Sequence, residues 1–231
     1  MTRPDFALLV VDLQRYYIDP SSSFRAWTEF HAPDALAYIE GRIRNSVLPA
    51  VSRLRTAFES RGWPTAYLRL CGQREDRADL HRIFRHAHRL AESEGFPDLY
   101  PLSSDPLADV LPEIAPSSED RVFDKTTFSG FSSSGLASWL LEVKPRAIVF
   151  AGLATSQCVD TTARDASDRG YQIIHIEDAQ ADYGADEHYA SLFASRGVCG
   201  GYILSSQEFC RDPGSVLPEA AEYYETISKL V

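Results

Sequence analysis

Three polar side chains that could carry out nucleophilic chemistry each follow an apolar segment of the chain. Asp12 comes after the run FALLVV, Lys125 ends the segment RVFDK, and Cys158 follows AIVFAGL and a turn of small and polar residues. A thiol nucleophile needs a base to take its proton, and a carboxylate that acts as this base at neutral pH needs a nearby cation. The three residue types together therefore suit a cysteine that attacks a carbonyl carbon.

Each of these residues also has a simpler structural explanation. Asp12 could cap a helix, Lys125 could be a solvated surface charge, and Cys158 could be a small buried apolar residue. Cys158 has the strongest functional argument, because it lies where a turn is predicted to become a helix. The free N–H groups at a helix start favour a thiolate over a thiol, and they can hold a developing oxyanion.

The segments that must position these residues alternate between apolar strands and amphipathic helices. This alternation predicts βαβ units and therefore an α/β fold with a parallel sheet. Ligands bind beyond the carboxyl ends of such strands, so Asp12, Lys125 and Cys158 are expected at one edge of the sheet. No internal repeat or low-complexity linker divides the chain, which predicts one domain over residues 1–231. The predicted strands are 6–11, 65–71, 121–125, 147–153, 172–179 and 199–204, and the predicted helices are 34–58, 134–143, 158–169, 186–196 and 215–231.

Composition and charge exclude several classes of protein. The 231 residues include 23 Lys and Arg against 33 Asp and Glu, and the resulting net charge of -10 argues against nucleic-acid binding. No apolar run approaches the roughly 20 residues of a membrane span, and the N-terminal run is too short for a signal peptide. The four cysteines contain no CxxC pair. They are expected to be free thiols in a reducing compartment, which predicts a cytoplasmic protein.

Three segments resemble the signature segments of the isochorismatase-like cysteine hydrolases. They are LLVVDLQRYYIDP, VFDKTTFSGF and GLATSQCVDTTARDASDRGYQIIHIEDA, and the resemblance extends over about residues 6–204. This superfamily includes nicotinamidases, N-carbamoylsarcosine amidohydrolases, ureidoacrylate and biuret hydrolases, and isochorismatases. The resemblance implies a three-layer αβα sandwich with a six-stranded parallel sheet. It also implies that Asp12, Lys125 and Cys158 correspond to the family's catalytic triad.

The resemblance further implies an oxyanion hole and a mechanism. The family has a non-prolyl cis peptide before its cysteine, which here would join Leu153 to Ala154. The N–H groups of Ala154 and Cys158 would then form the oxyanion hole. Asp12 would take the thiol proton, Cys158 would attack a carbonyl bonded to nitrogen, and water would hydrolyse the resulting thioester.

The cysteine separates the chemistries found in the family. Isochorismatases cleave a vinyl ether by protonation and do not need a nucleophile, so a thiol favours hydrolysis of a C–N bond. Vinyl-ether cleavage stays open as the enzymatic alternative, and an inactive binding protein with the same fold is the second alternative. A redox role is less favoured, because no second cysteine neighbours Cys158 in the sequence.

No metal and no cofactor are expected at the site. Nicotinamidases hold a divalent ion with an Asp-x-His motif after the second strand, whereas this chain reads LRLCGQREDRADLH there. His81, His86 and His88 lie in a charged helical stretch, and a solvated helix face explains them better than a metal site.

Aromatic side chains near the predicted site suggest a small planar substrate such as an amide, carbamoyl or ureido compound. The residue before the nucleophile, Gln157, could hydrogen-bond such a group. The resemblance also implies a homodimer or homotetramer, with the first loop and residues 215–231 as candidate contact regions. The candidate substrate-binding residues are Tyr17, Trp27, Phe30, Phe131 and Gln157.

Overall fold

The computed structural model describes residues 3–200 and 202–217. Its strands form one sheet in the order β3-β2-β1-β4-β5-β6, and every pair of neighbours is parallel. The predicted α/β fold with a six-stranded parallel sheet is therefore confirmed. The strands are β1 (Phe6–Val11), β2 (Thr65–Leu70), β3 (Arg121–Lys125), β4 (Ala147–Leu153), β5 (Gln172–Ala181) and β6 (Tyr202–Leu204).

Helices cover both faces of this sheet. The chain moves outward in one direction from β1 to β3 and in the other from β4 to β6, so right-handed crossovers place the two sets of helices on opposite faces. In the described part of the chain, no helix is long and apolar enough to cross a membrane. The α-helices are α1 (Ser23–His31), α2 (Ala37–Arg42), α3 (Leu48–Arg61), α4 (Arg82–Ser93), α5 (Gly130–Ser133), α6 (Leu136–Val143), α7 (Asp160–Asp168), α8 (Ala185–Val198) and α9 (Ser206–Arg211).

Several predicted boundaries differ from the observed ones. The helix predicted from Asp34 begins at Ala37, because Asp34 adopts a left-handed conformation with φ of 63°. A π-helical turn, Ile43–Val47, joins α2 to α3. The α3 helix ends at Arg61, and the predicted stop residue Gly62 is its C-terminal cap. The last strand begins three residues later than predicted, at Tyr202. The helix predicted over residues 215–231 lies almost entirely outside the described residues.

The centre of the sheet is where the strand order reverses, between β1 and β4. Both strands are buried along their whole length. Gly152 has a φ of 119°, and a Cβ atom there would lie 2.0 Å from the Val11 carbonyl oxygen. Glycine therefore permits the close approach of the two strands, which brings the end of β1 beside the turn that follows β4.

His175 on β5 is a buried histidine whose hydrogen bonds favour the neutral ring. Its Nδ1 accepts from the Gln180 amide at 3.2 Å, and its Nε2 lies 3.0 Å from Ser195 Oγ. Burial is the main cause that lowers the pKa of His175 to about 4. The unfolded chain would protonate this histidine near pH 6.5, whereas the folded protein keeps it neutral until about pH 4.

We therefore expect stability to fall as the pH is lowered from 6.5 to 4, because the unfolded state binds the extra proton. A pKa difference of this size corresponds to about 3 kcal/mol of unfolding free energy. Urea unfolding at several pH values would measure the loss, and His175→Gln should remove most of it. His86→Gln, at an exposed position, serves as the control. A pH dependence equally steep in wild type and His175→Gln would contradict this account.

Candidate active site

Asp12, Lys125 and Cys158 come together at the carboxyl edge of the sheet. The Lys125 Nζ lies 2.8 Å from Asp12 Oδ2, and it donates a hydrogen bond of 3.2 Å to Cys158 Sγ. The relative exposure of Asp12 and Lys125 is 0%, and that of Cys158 is 3%. A carboxylate, an ammonium group and a thiol thus form one buried cluster.

Asp12 is held in an uncommon backbone conformation directly after β1. Its φ is 51°, in the left-handed region that aspartate tolerates better than most residues. Its N–H donates to the Leu68 carbonyl at 2.9 Å, and its own carbonyl accepts from Gln14 N at 2.9 Å. The Gln14 side chain is fixed in turn by bonds to both backbone groups of Leu70. Asp12 caps no helix, because the turn after it begins beyond Gln14.

Lys125 is the last residue of β3 and is not a surface charge. Besides its contacts with Asp12 and Cys158, its Nζ donates to the Thr127 carbonyl at 2.9 Å. All three protons of the ammonium group therefore have a partner, as a buried charge requires. Besides the ion pair with Lys125, the Asp12 carboxylate accepts hydrogen bonds from the Cys158 thiol and the Leu70 backbone. The carboxylate can therefore receive a proton.

Side-chain hydrogen bonds join the segment after Lys125 to the helix that carries the cysteine. Thr162 Oγ1 donates to the Cys158 carbonyl at 2.6 Å and accepts from Gly130 N at 3.2 Å. Ser129 Oγ donates to Asp165 Oδ2 at 2.7 Å. These bonds hold the loop after β3 against α7. They therefore help to keep the Lys125 ammonium group beside the Cys158 thiol.

Burial controls the protonation of the cluster. It raises the pKa of Asp12, and the charge of Lys125 opposes this only in part. It also raises the pKa of the Cys158 thiol, again against Lys125, while the Asp12 charge raises it further. Burial alone would lower the pKa of Lys125, but Asp12 and Cys158 outweigh it and the net direction is upward. Burial thus favours the neutral thiol at Cys158, while the ion pair with Lys125 favours the charged form of Asp12.

Two expectations about Cys158 are corrected by this geometry. The helix begins at Thr155 with a π-helical turn, Thr155–Val159, so Cys158 lies four residues past the Ala154 cap and not at the helix start. The sequence also predicted that a helix start would favour a thiolate over a thiol, whereas burial and the Asp12 charge raise the pKa of the Cys158 thiol.

The peptide bond between Leu153 and Ala154 is trans, as are all those between described residues, so the implied cis bond is wrong. A non-prolyl cis bond costs about 3 kcal/mol relative to trans. The chain makes its turn without one, because Ala154 is extended, with φ of -81° and ψ of 147°, and leads directly into the helix. Ala154 is buried beside the nucleophile turn, with its carbonyl accepting from Gln157 N at 3.0 Å.

Comparison with known proteins identifies the family of this chain. The family model for the isochorismatase domain matches residues 6–208. The chain belongs to the isochorismatase family. The ureidoacrylate amidohydrolase RutB of Variovorax paradoxus is 29% identical over 218 residues, which are 90% of this chain and 81% of that protein.

Two solved structures share the fold of this chain. A cysteine hydrolase from Pseudomonas syringae pv. phaseolicola has a TM-score of 0.71 at 23% identity, covering 93% of this chain and 95% of that one. An N-carbamoylsarcosine amidase from Thermoplasma acidophilum has a TM-score of 0.63 at 25% identity, covering 87% of this chain and 96% of that one. The α/β architecture and the family resemblance inferred from the sequence are thereby confirmed.

Among the five predicted substrate-binding residues, three lie close to the nucleophile or to the segment after Lys125. Tyr17 is buried and stacks on Tyr16 with 4.3 Å between ring centroids. Burial mainly raises the pKa of Tyr17, and Asp12 and Cys158 contribute. Gln157 is half-buried directly before the nucleophile. Phe131 is buried on α5, where the Arg169 guanidinium lies 4.7 Å from its ring centroid.

The other two predicted residues lie on α1 and contact the end of α4. The Trp27 indole donates to Glu94 Oε2 at 2.7 Å. Phe30 is 68% exposed, and its ring lies 5.5 Å from that of Phe96. The sequence placed Trp27 and Phe30 in a loop near the site, whereas the structure places them on α1, and their described contacts are with Glu94 and Phe96.

Two tyrosines that the sequence did not single out lie near the nucleophile. Burial is the main cause that raises the pKa of Tyr100 and of Tyr183, and a negative charge on Cys158 would raise both further. Tyr183 follows β5 by two residues, a position that strand-end reasoning could have found. Tyr100 lies near the end of a charged segment after β2, residues 73–101, which we call the excursion, and no sequence pattern marks it there.

The three histidines of the excursion have separate environments. His81 caps α4 through its Nδ1, and His86 is exposed. His88 is buried, with its Nδ1 3.5 Å from Tyr100 N, so the solvated-face prediction is wrong for this residue. It is buried because it lies on the inner face of α4. Within residues 3–200 and 202–217, no three His, Cys, Asp or Glu side chains are grouped as metal ligands.

Proposed function

We propose that this protein is a cysteine amidohydrolase that cleaves a C–N bond in a small amide, carbamoyl or ureido compound. The observation that carries the proposal is the buried cluster in which Lys125 contacts both Asp12 and Cys158. Membership of the isochorismatase family supports it. The relatives named as ureidoacrylate amidohydrolase and N-carbamoylsarcosine amidase point to the same class of bond.

The first half of the reaction forms a thioester. Asp12 takes the proton of Cys158 as the sulfur attacks the carbonyl carbon of the substrate. A raised pKa makes Asp12 a stronger base than an exposed carboxylate. We assign the oxyanion to the backbone N–H groups of Ala154 and Cys158, with the peptide bond before Ala154 in the trans form. Lys125 stabilises the negative charge on Asp12 or on Cys158, whichever of the two carries it. Asp12 then donates its proton to the leaving nitrogen, which departs as ammonia or an amine.

The second half of the reaction restores the enzyme. Asp12, again a carboxylate, takes a proton from a water molecule that attacks the thioester carbonyl. The C–S bond breaks, the acid product leaves, and Cys158 recovers its proton from Asp12. Asp12 thus passes the thiol proton to the leaving nitrogen in the first half and a proton from water to Cys158 in the second.

The side chains around the nucleophile suit a small planar group. Tyr17, Tyr100 and Tyr183 offer hydroxyl groups and ring faces near Cys158. Gln157 supplies an amide one residue before it. Amide, carbamoyl and ureido groups present both donors and acceptors, which such hydroxyl and amide groups can bind.

A panel of primary amides, N-carbamoyl amino acids and ureido acids tests the function, with ammonia release as the readout. We expect turnover of at least one class by the wild-type protein. Isochorismate belongs in the same panel, with pyruvate as its product. Release of pyruvate without release of ammonia from any amide or ureido compound would contradict the proposal in favour of vinyl-ether cleavage.

We also propose that the protein is a single domain that acts in the cytoplasm as a homodimer or homotetramer. The described cysteines are all free thiols, which supports a reducing compartment. On α8, Tyr189 and Phe193 are exposed one helical turn apart, with exposures of 53% and 79%. An exposed apolar pair of this kind suits a contact between subunits.

A further inference from the structure

His188 lies on α8 outside the cluster of Asp12, Lys125 and Cys158, yet it contacts the turn that carries the nucleophile. Its relative exposure is 0%. Its Nδ1 lies 2.8 Å from the Oγ1 atom of Thr155, the first residue of the π-helical turn. Thr155 is also fully buried, and Cys158 follows it by three residues.

The opposite edge of the His188 ring is fixed by an arginine and a glutamate. His188 Nε2 lies 2.9 Å from Arg42 Nη2 and 3.2 Å from Glu177 Oε1. Arg42 is itself held by the backbone carbonyls of Gln180 and Glu177, each at 2.8 Å. When Nε2 accepts from Arg42, Nδ1 donates to Thr155, and when Nε2 donates to Glu177, Nδ1 accepts from Thr155. Both neutral tautomers therefore keep the bond to Thr155.

The nucleophile turn has a second attachment to the same region. Asp182, directly after β5, accepts from the backbone N–H of Ser156 at 2.6 Å. The Thr155 side chain and the Ser156 backbone are thus both tied to β5 and α8. Because the N–H groups of Ala154 and Cys158 flank these two residues, their positions depend on how firmly the turn is held.

We propose that His188 is a positioning residue for the nucleophile: through Thr155 it fixes the turn that presents Cys158 and its backbone N–H to the substrate. This proposal rests on the proposed function. A displaced nucleophile lowers the rate of attack on bound substrate more than it weakens binding, so the effect should appear in kcat and not in KM.

Two substitutions separate the bond to Thr155 from the bonds to Arg42 and Glu177. In His188→Asn the side-chain amide takes the place of Nδ1, and in His188→Gln it takes the place of Nε2. We expect His188→Gln to lower kcat by about 10- to 100-fold with little change in KM, and His188→Asn to restore most of the rate. A role limited to packing would instead give both variants the same kcat, whatever their thermal stability.

Thr155 provides a second test that does not require a change at His188. Thr155→Val removes the hydroxyl while keeping the shape, and Thr155→Ser keeps the hydroxyl. We expect Thr155→Val to reduce kcat as much as His188→Gln does, and Thr155→Ser to keep a kcat near that of wild type. The double variant His188→Gln/Thr155→Val should have a kcat no lower than that of either single variant. An unchanged kcat in Thr155→Val, or fully additive losses in the double variant, would overturn the proposal.

A readout without substrate distinguishes failure of this inference from failure of the proposed function. The rate of Cys158 alkylation by iodoacetamide can be followed by peptide mass spectrometry whether or not any amide is turned over. We expect His188→Gln and Thr155→Val to change the rate of Cys158 alkylation about tenfold in either direction. His188→Asn should keep an alkylation rate near that of wild type. Equal alkylation rates in all variants would refute the positioning role, whereas wild-type inactivity on the whole panel would refute the function alone.

Discussion

Cys158→Ala should lower kcat on the best substrate of the panel by roughly 10⁴-fold or more, because it removes the atom that forms the thioester. The substitution deletes one sulfur atom from a buried position and leaves the Asp12–Lys125 ion pair in place. The folded structure should therefore persist, and circular dichroism together with urea unfolding can confirm it. Initial rates of ammonia release measure the effect.

Cys199→Ala is the matched control for this substitution. Cys199 is also a buried free thiol, with an exposure of 4%, but its sulfur contacts Ser195 and not the catalytic cluster. We expect its kcat to stay within about twofold of wild type. A Cys158→Ala protein that retains a rate comparable to that of Cys199→Ala would eliminate the nucleophile assigned here.

The second large effect concerns the ion pair between Asp12 and Lys125, which have no exposed surface. Asp12→Asn and Lys125→Met each leave one buried partner without its counter-charge, and we expect each to reduce the unfolding free energy by about 3–5 kcal/mol. The double variant removes both charges and should recover most of this loss. All three variants should lose at least about 10³-fold in kcat, because the base or its stabilising cation is gone.

Urea unfolding of the three variants and wild type gives a double-mutant cycle for this pair. The exposed ion pair between Arg74 and Asp76, with Nε and Oδ1 3.1 Å apart, provides the control, and Arg74→Ala should leave stability nearly unchanged. Additive losses for Asp12→Asn and Lys125→Met would contradict the coupling. A double variant that recovers activity together with stability would contradict the catalytic role of the pair.

The positions of the three catalytic candidates could be predicted because they depend on topology. Asp12 and Lys125 sit at the carboxyl ends of parallel strands, and Cys158 lies in the turn after another strand. A right-handed α/β sheet brings such ends to one edge whatever the sequence distance between them. The apolar run before each of these residues is long enough to identify a strand. The parallel arrangement of the strands then predicts that the three residues lie at the same edge of the sheet.

The protonation of Cys158 could not be predicted in the same way. Sequence reasoning weighed the helix terminus and the Lys125 cation, both of which favour a thiolate. Burial is the largest cause of the shift in the Cys158 pKa, and burial depends on how segments far apart in the chain pack around the thiol. The direction of the Cys158 pKa shift can therefore be predicted only from the folded structure.

The contacts of His188 and Tyr183 were also beyond the sequence pattern. Both lie in or before α8, whose register against the nucleophile turn is set by tertiary packing. A histidine in an amphipathic helix carries no local signal that its ring will meet Thr155. Arg42, which fixes the other edge of that ring, is 146 residues away in the sequence.

The most direct test of the account is to identify the group that carries the acyl intermediate. The protein can be quenched with acid during the pre-steady-state phase with its best substrate, digested, and analysed by peptide mass spectrometry. We predict the acyl mass on the peptide that contains Cys158, and its absence in Cys158→Ala. An acyl group on any other residue, or an unmodified Cys158 peptide during a burst of ammonia release, would contradict it.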